Sequence, residues 1–189
     1  MSNNNGKAHE ALPILTHEFR RLSGELRTAY TSARSVLVAS ALGGEGVTTI
    51  AVKLARALAE DREQRILLVD ANCRAPAVHL FFGLELAGGL RDWSGHGDVP
   101  YKPTSGTPNL LVLTAGMGPT SAFDEINPAT LRQLARTVRE TFDFVLWDMP
   151  PLLRYADGLA LASVVDGVLL VVEADHTKVE TLELMREQL

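Results

Sequence analysis

Residues 36–49 read Val-Leu-Val-Ala-Ser-Ala-Leu-Gly-Gly-Glu-Gly-Val-Thr-Thr. An apolar strand runs into a glycine-rich turn, and the turn runs into a helix start, the layout of a phosphate-binding loop. Gly43, Gly44 and Gly46 let backbone N–H groups turn inward as an anion nest, and the helix N-terminus adds its dipole. Thr48 stands where a hydroxyl normally holds Mg²⁺. The residue after the last glycine of such a loop is ordinarily Lys, which neutralises the β- and γ-phosphates. Here it is Val47, which brings neither charge nor donor. The expected nucleotide-contacting residues of the loop are Gly43, Gly44, Glu45, Gly46, Val47, Thr48 and Thr49. Without the lysine, the loop taken by itself fits equally well a strand-to-helix turn that binds nothing.

Two carboxylates change that balance. Asp70 ends the run Ile-Leu-Leu-Val-Asp, and Asp148 ends Phe-Val-Leu-Trp-Asp. A carboxylate at a strand end can hold Mg²⁺ through water or accept a proton from a nucleophile. It can also simply cap the next turn. Two such ends beside a glycine loop point to an active-site layout, with Asp70 and Asp148 catalytic and Thr48, Asp70 and Asp148 as the set for Mg²⁺.

These side chains need a scaffold that gathers them. Apolar runs predict strands at 35–40, 65–70, 109–114, 143–148 and 167–173. Helical periodicity predicts helices over 16–30, 48–60, from Asn127-Pro128, from about Asp157, and from Thr177 to Leu189. Residues 71–108 read as irregular, with short helical pieces near 78–82 and 89–93. Residues 1–15 read as a disordered tail and 16–189 as one domain. Strands alternating with helices give an α/β three-layer sandwich with a mostly parallel central sheet. Right-handed crossovers place every strand C-terminus on one edge, where ligands bind. Ser40, Asp70 and Asp148 all fall there.

Composition narrows the function classes. The chain has 189 residues, 46% hydrophobic, with a net charge of −5, which disfavours nucleic acid as the main partner. No apolar run approaches ~18 residues, and the polar start lacks the core of a secretion signal. Cys73 is alone, so a cytoplasmic location is expected. His9, His17, His79, His96 and His176 show no metal-ligand spacing. Trp93, Trp147 and Phe81-Phe82 read as packing residues, and Lys7, Arg20, Arg21 and Arg27 as a solvated face of the first helix.

In order along the chain stand Ala-Ser-Ala-Leu-Gly-Gly-Glu-Gly-Val-Thr-Thr, Leu-Leu-Val-Asp-Ala-Asn-Cys-Arg-Ala-Pro, His-Leu-Phe-Phe-Gly-Leu, Gly-Gly-Leu-Arg-Asp-Trp, Asp-Phe-Val-Leu-Trp-Asp-Met-Pro-Pro and Val-Asp-Gly-Val-Leu-Leu-Val-Val. From about residue 17 to 189 the chain resembles the bacterial tyrosine kinases, the P-loop proteins paired with polysaccharide co-polymerases in capsule and exopolysaccharide export. More broadly it resembles the deviant-Walker group that includes partition and cell-division-site ATPases. The resemblance implies a P-loop NTPase fold, ATP or ADP with Mg²⁺ as ligands, and Arg74 as a further nucleotide-site residue. It implies a membrane polysaccharide co-polymerase or an active paralogous kinase as partner, homo-oligomerisation, and a place at the inner face of the membrane through that partner.

The departures from the family pattern fall on chemistry. The phosphate-binding Lys is Val47, and the broader group's second loop Lys falls on Leu42. The usual Asp-x-Asp-x-Arg keeps Asp70 and Arg74 but has Asn72. The Glu and two Arg used in ring assembly align with His17, Arg20 and Ser23. A further strand and a tyrosine cluster that follow in the family are not found before Leu189, and the tyrosines are Tyr30, Tyr101 and Tyr155. Candidate replacement cations are Lys53, about 9 Å along the helix, Arg154 after the proline pair, and Arg74. The expected function is a catalytically impaired, kinase-like regulatory or scaffold protein of polysaccharide export. Two alternatives stand beside it: an active tyrosine autokinase using a substitute cation, and a partition-type ATPase relative.

Overall fold

The computed structural model describes residues 5–29, 34–117, 128–155 and 157–189. In chain order the strands are β1 (Ser35–Ser40), β2 (Ile66–Asp70), β3 (Lys102–Thr104), β4 (Thr107–Leu113), β5 (Phe144–Asp148) and β6 (Gly167–Val171). The helices are α1 (Asn5–Ala29), α2 (Val47–Leu58), α3 (Val78–Phe82), α4 (Pro128–Thr141), α5 (Asp157–Ala162) and α6 (Val179–Gln188). A single 3₁₀ turn covers Leu90–Asp92.

The strands form one sheet in the order β3-β4-β2-β5-β1-β6. All pairs are parallel except the β3–β4 hairpin. Burial on both faces explains why β1, β2 and β5 read as unbroken apolar runs. Alternate residues feed two cores. Leu37, Leu67, Val69, Val145 and Trp147 pack under Leu131, Leu134 and Val138 of α4. Val36, Val38, Ile66, Leu68 and Leu146 pack under Leu54 and Leu58 of α2 and Phe19 and Leu26 of α1. The result is the expected three-layer α/β sandwich.

Several expectations need correction. The strand β3 lies in the stretch read as irregular; it is short, carries Pro103, and sits at the sheet edge where a missing N–H is tolerated. Helix α1 starts at Asn5, ahead of the 16–30 span that periodicity predicts for it. Arg20 and Arg27 are not merely a solvated face. Arg20 Nε donates to both Glu60 oxygens at 2.9 and 2.7 Å, and Arg27 reaches Asp61 at 3.0 Å, so α1 is clamped to the end of α2. Trp147 is fully buried as expected, and its Nε1 donates to Ser35 Oγ at 2.9 Å. Phe82 packs against the α2 face while Phe81 is exposed. The N-cap expected at Asn127 and the side chains of Lys7 and Tyr30 lie outside the described residues.

Candidate functional site

The loop between β1 and α2 has the conformation its glycines allow. Gly43, Gly44 and Gly46 have φ of 103°, 92° and 80°. Gly43 is required twice over, since a Cβ there would stand 2.7 Å from Pro151 Cγ. Glu45 folds back onto its own loop: its Oε2 accepts from the Gly43 N–H at 3.0 Å. Its Oε1 accepts from Thr177 Oγ1 at 2.9 Å, which ties the loop to the turn after β6. Burial works to raise the Glu45 carboxyl, but the nearby Ser40 hydroxyl, the Gly43 amide, the Thr177 hydroxyl and the Leu42 amide outweigh it and hold the group below the usual value.

Asp70 and Asp148 end adjacent strands and are direct register partners. Both are fully buried. Asp70 Oδ2 accepts from the Ala77 and Val78 amides at 3.2 and 3.1 Å. Asp148 Oδ2 accepts from Thr48 Oγ1 at 2.7 Å. The Oδ1 atom of each has no hydrogen-bond partner among the described residues. Burial pushes Asp70 up to about 7 against the amides of Val78, Ala77 and Asn72. Burial, then the charge of Asp70, pushes Asp148 up to about 8 against the Thr48 hydroxyl. Only neutral donors oppose these shifts; no cation is among them. A carboxyl that titrates near neutrality is suited to accept a proton from a hydroxyl nucleophile.

A cavity of about 260 Å³ opens over the loop, bounded by Gly43, Gly46, Val47, Thr48, Asn72 and Pro151. Among the described residues, no cationic side chain lines it. Lys53 is turned away, with Nζ over the Phe19 ring at 5.7 Å on the α1 side. Arg74 is stacked on Tyr155, 4.1 Å from the ring centroid. Arg154 is exposed on the turn after the proline pair. The donor set of Thr48, Asp70 and Asp148 is all hard oxygen, with two carboxylate oxygens left over, and fits Mg²⁺ by its chemistry.

The structure thus brings Gly43, Gly46, Val47, Thr48, Thr49, Asp70 and Asp148 to one end of the sheet. Thr177 and Met149 were not named from the sequence. Thr177 lies 132 residues from Glu45, and nothing in its local sequence marks it.

The family model described as "Cellulose biosynthesis protein BcsQ" matches residues 34–187. Tyrosine-protein kinase YwqD of Bacillus subtilis (strain 168) is 32% identical over 171 residues, which span 89% of this chain and 72% of YwqD. The chain belongs to the bacterial tyrosine-protein kinase family. Solved structures agree. The chimerical protein CapA2B2 superposes with a TM-score of 0.76 at 27% identity, over 91% of this chain and 77% of that one. The Pyrococcus furiosus cell division ATPase MinD superposes at 0.68 with 25% identity, over 83% and 68% of the two chains. The fold is therefore that of the P-loop kinases and the MinD-type ATPases, as the motifs implied.

Proposed function

We propose that this chain is a regulatory or scaffold member of the tyrosine-kinase family, acting in exopolysaccharide or capsule biosynthesis and export, with catalysis impaired. The observation that carries this reading is the cavity over the loop, lined by Val47 and, among the described residues, by no cationic side chain. Phosphoryl transfer depends almost wholly on positioning and charge. Losing one major electrostatic contact costs on the order of 10²–10³ in rate. The Glu45 carboxylate on the Gly43 amide adds negative charge where phosphate oxygens would bind. Asn72 replaces a second carboxylate at the cavity wall.

In this reading the fold serves assembly. The partner is a membrane polysaccharide co-polymerase or an active paralogous kinase, and the chain works in the cytoplasm at the inner membrane face through that partner. Its polysaccharide setting is supported by the cellulose-biosynthesis family description and by the kinase relatives. If ATP or ADP binds, Gly43, Gly44, Glu45, Gly46, Val47, Thr48, Thr49 and Arg74 are the contacts, and Thr48, Asp70 and Asp148 hold the Mg²⁺. That ion would supply the phosphate-neutralising charge.

A second reading, an active autokinase with a substitute cation, is favoured by the intact Thr48–Asp148 hydrogen bond and the paired strand-end carboxylates. Calorimetric titration with Mg·ATP and Mg·ADP, run beside a Val47→Lys variant, separates the two. The scaffold reading expects no heat from the native chain and binding restored by Val47→Lys. Micromolar binding by the native chain, with autophosphorylation lost in Asp148→Ala, would overturn it. Nucleotide-dependent dimerisation without phosphotyrosine would instead favour the partition-type ATPase reading.

A further inference from the structure

A second cavity, of about 310 Å³, opens at the end of α2 remote from the phosphate loop. Arg20 of α1, Arg56 of α2, and Glu60, Arg62 and Asn109 line it, with the β3–β4 turn at Gly106 along one side. Three guanidinium groups face one carboxylate there, in a chain whose net charge is −5.

Each arginine has capacity left. Arg20 spends its Nε on Glu60, a pair that orients the guanidinium and leaves the terminal nitrogens outside it. Arg56 gives one terminal nitrogen to Phe81 O at 3.0 Å and stacks over Phe82 at 4.9 Å, which holds its plane fixed. Arg62 makes no hydrogen bond or ion pair among the described residues.

The carbonyl end of a helix ordinarily opposes an anion. Here Leu58 O, the last carbonyl of α2, and three carbonyls just beyond the helix already have side-chain donors. Arg27 donates to Leu58 O at 2.6 Å, and Asn109 Nδ2 donates to Ala59 O, Asp61 O and Gln64 O at 3.1, 2.9 and 2.9 Å. Asp61, the next carboxylate along, is neutralised by Arg27 at 3.0 Å. The arginines therefore face the cavity with these carbonyls already engaged.

We propose that this cavity binds a multiply charged oxyanion of the phosphate class, gripped by Arg20, Arg56 and Arg62. Guanidinium forks match phosphate oxygens in geometry and charge. The volume is at the small end of ligand pockets, about 300–1,000 Å³, which suits a group the size of pyrophosphate. Such a ligand bridges α1, α2 and the turn after it. The site is separate from the loop cavity and does not depend on whether nucleotide binds there.

The test titrates the full chain with sodium pyrophosphate, without Mg²⁺, by calorimetry and by amide NMR. The expected result is binding that shifts the Gly106, Thr107 and Asn109 amides and the Arg62 Nε–H. Arg62→Gln should weaken it at least about tenfold. Because Arg62 is exposed and makes no hydrogen bond or ion pair among the described residues, that variant keeps the native melting curve, and Arg56→Gln serves as an independent second variant. A parallel arm measures sedimentation with phosphatidylglycerol–phosphatidylcholine vesicles. Vesicle binding lost in Arg62→Gln assigns the phosphate to a lipid headgroup; pyrophosphate binding without vesicle binding assigns it to a soluble ligand. The proposal is overturned if neither probe binds. It is also overturned if shifts are confined to Gly43–Thr49, or if neither glutamine variant changes the affinity.

Discussion

The Asp70–Asp148 pair should make stability fall as pH rises. Burial lifts Asp70 to about 7 and, with the Asp70 charge beside it, lifts Asp148 to about 8. In the unfolded chain both ionise near the ordinary value of about 4. Above that value the native state holds protons that the unfolded state has released. Linkage then fixes the sign: stability declines with rising pH until both groups are ionised in the native state, above about 8. One unit is worth about 1.4 kcal/mol. A carboxyl kept protonated from about pH 4 to about pH 7 therefore costs about 4 kcal/mol once pH reaches about 9. The two groups titrate as a coupled pair, so the total is about 4–10 kcal/mol, against a domain stability of about 5–15 kcal/mol. Urea unfolding followed by tryptophan fluorescence across this range measures it, with Asp148→Asn as reference. Asparagine keeps the size of the side chain and an acceptor for the Thr48 hydroxyl. The variant should match the native chain near the acid end and exceed its stability by several kcal/mol, on the order of 4, at the alkaline end. Parallel curves for the two proteins would refute the reasoning.

Three further outcomes follow from single contacts. Thr48→Val removes the hydroxyl on Asp148 Oδ2 and should cost about 1–3 kcal/mol in urea unfolding, with the loss growing as pH rises and the carboxylate ionises. Asn109→Ala removes an amide shared among Ala59 O, Asp61 O and Gln64 O, of which Asp61 O keeps the Gln64 N–H, and should cost about 1–3 kcal/mol, with faster amide exchange at the end of α2 as the local signature. Gly89→Ala would place a Cβ 2.3 Å from Thr114 O and 2.4 Å from Gly116 N, so backbone must move. A loss of about 3 kcal/mol or failure to accumulate as folded protein is expected, and a native-like melting curve would contradict the packing described.

The parts of this fold legible in the sequence are those governed by local pattern. Strands β1, β2 and β5 are buried on both faces, so their apolar runs are continuous and their ends carry the marker residues Ser40, Asp70 and Asp148. Parallel topology alone then places those ends together, and the Asp70–Asp148 register bears that out. Strand β3 was not legible because an edge strand of three residues with a proline has neither length nor periodicity to signal it. The Glu45–Thr177 bond and the Arg20–Glu60 clamp were not legible because each joins residues distant in sequence whose types are common on any surface. The near-neutral titration of the carboxyls needed the extent of burial, which strand pattern implies only in kind.

The loop invites a distinction between residues that a ligand requires and residues that the fold requires. Gly43 is demanded by the approach of Pro151, whatever the loop binds. Thr48 supplies the donor that a fully buried Asp148 needs. Asp70 caps the Ala77 and Val78 amides at the start of α3. Each of these matches to the kinase pattern has a structural duty that selection for folding alone would keep. A lysine after the last glycine has no such duty, since its value lies in charge delivered to a phosphate. That is the position taken by Val47, which packs against the α2 core and serves folding. Gly43, Thr48 and Asp70 are thus residues the fold can use, whereas a lysine at position 47 would be one only a nucleotide could use. This is the pattern that the proposed scaffold role predicts. Restoring the lysine therefore measures more than affinity. If Val47→Lys regains Mg·ATP binding without other changes, the cavity has kept its shape through the structural duties of its neighbours alone.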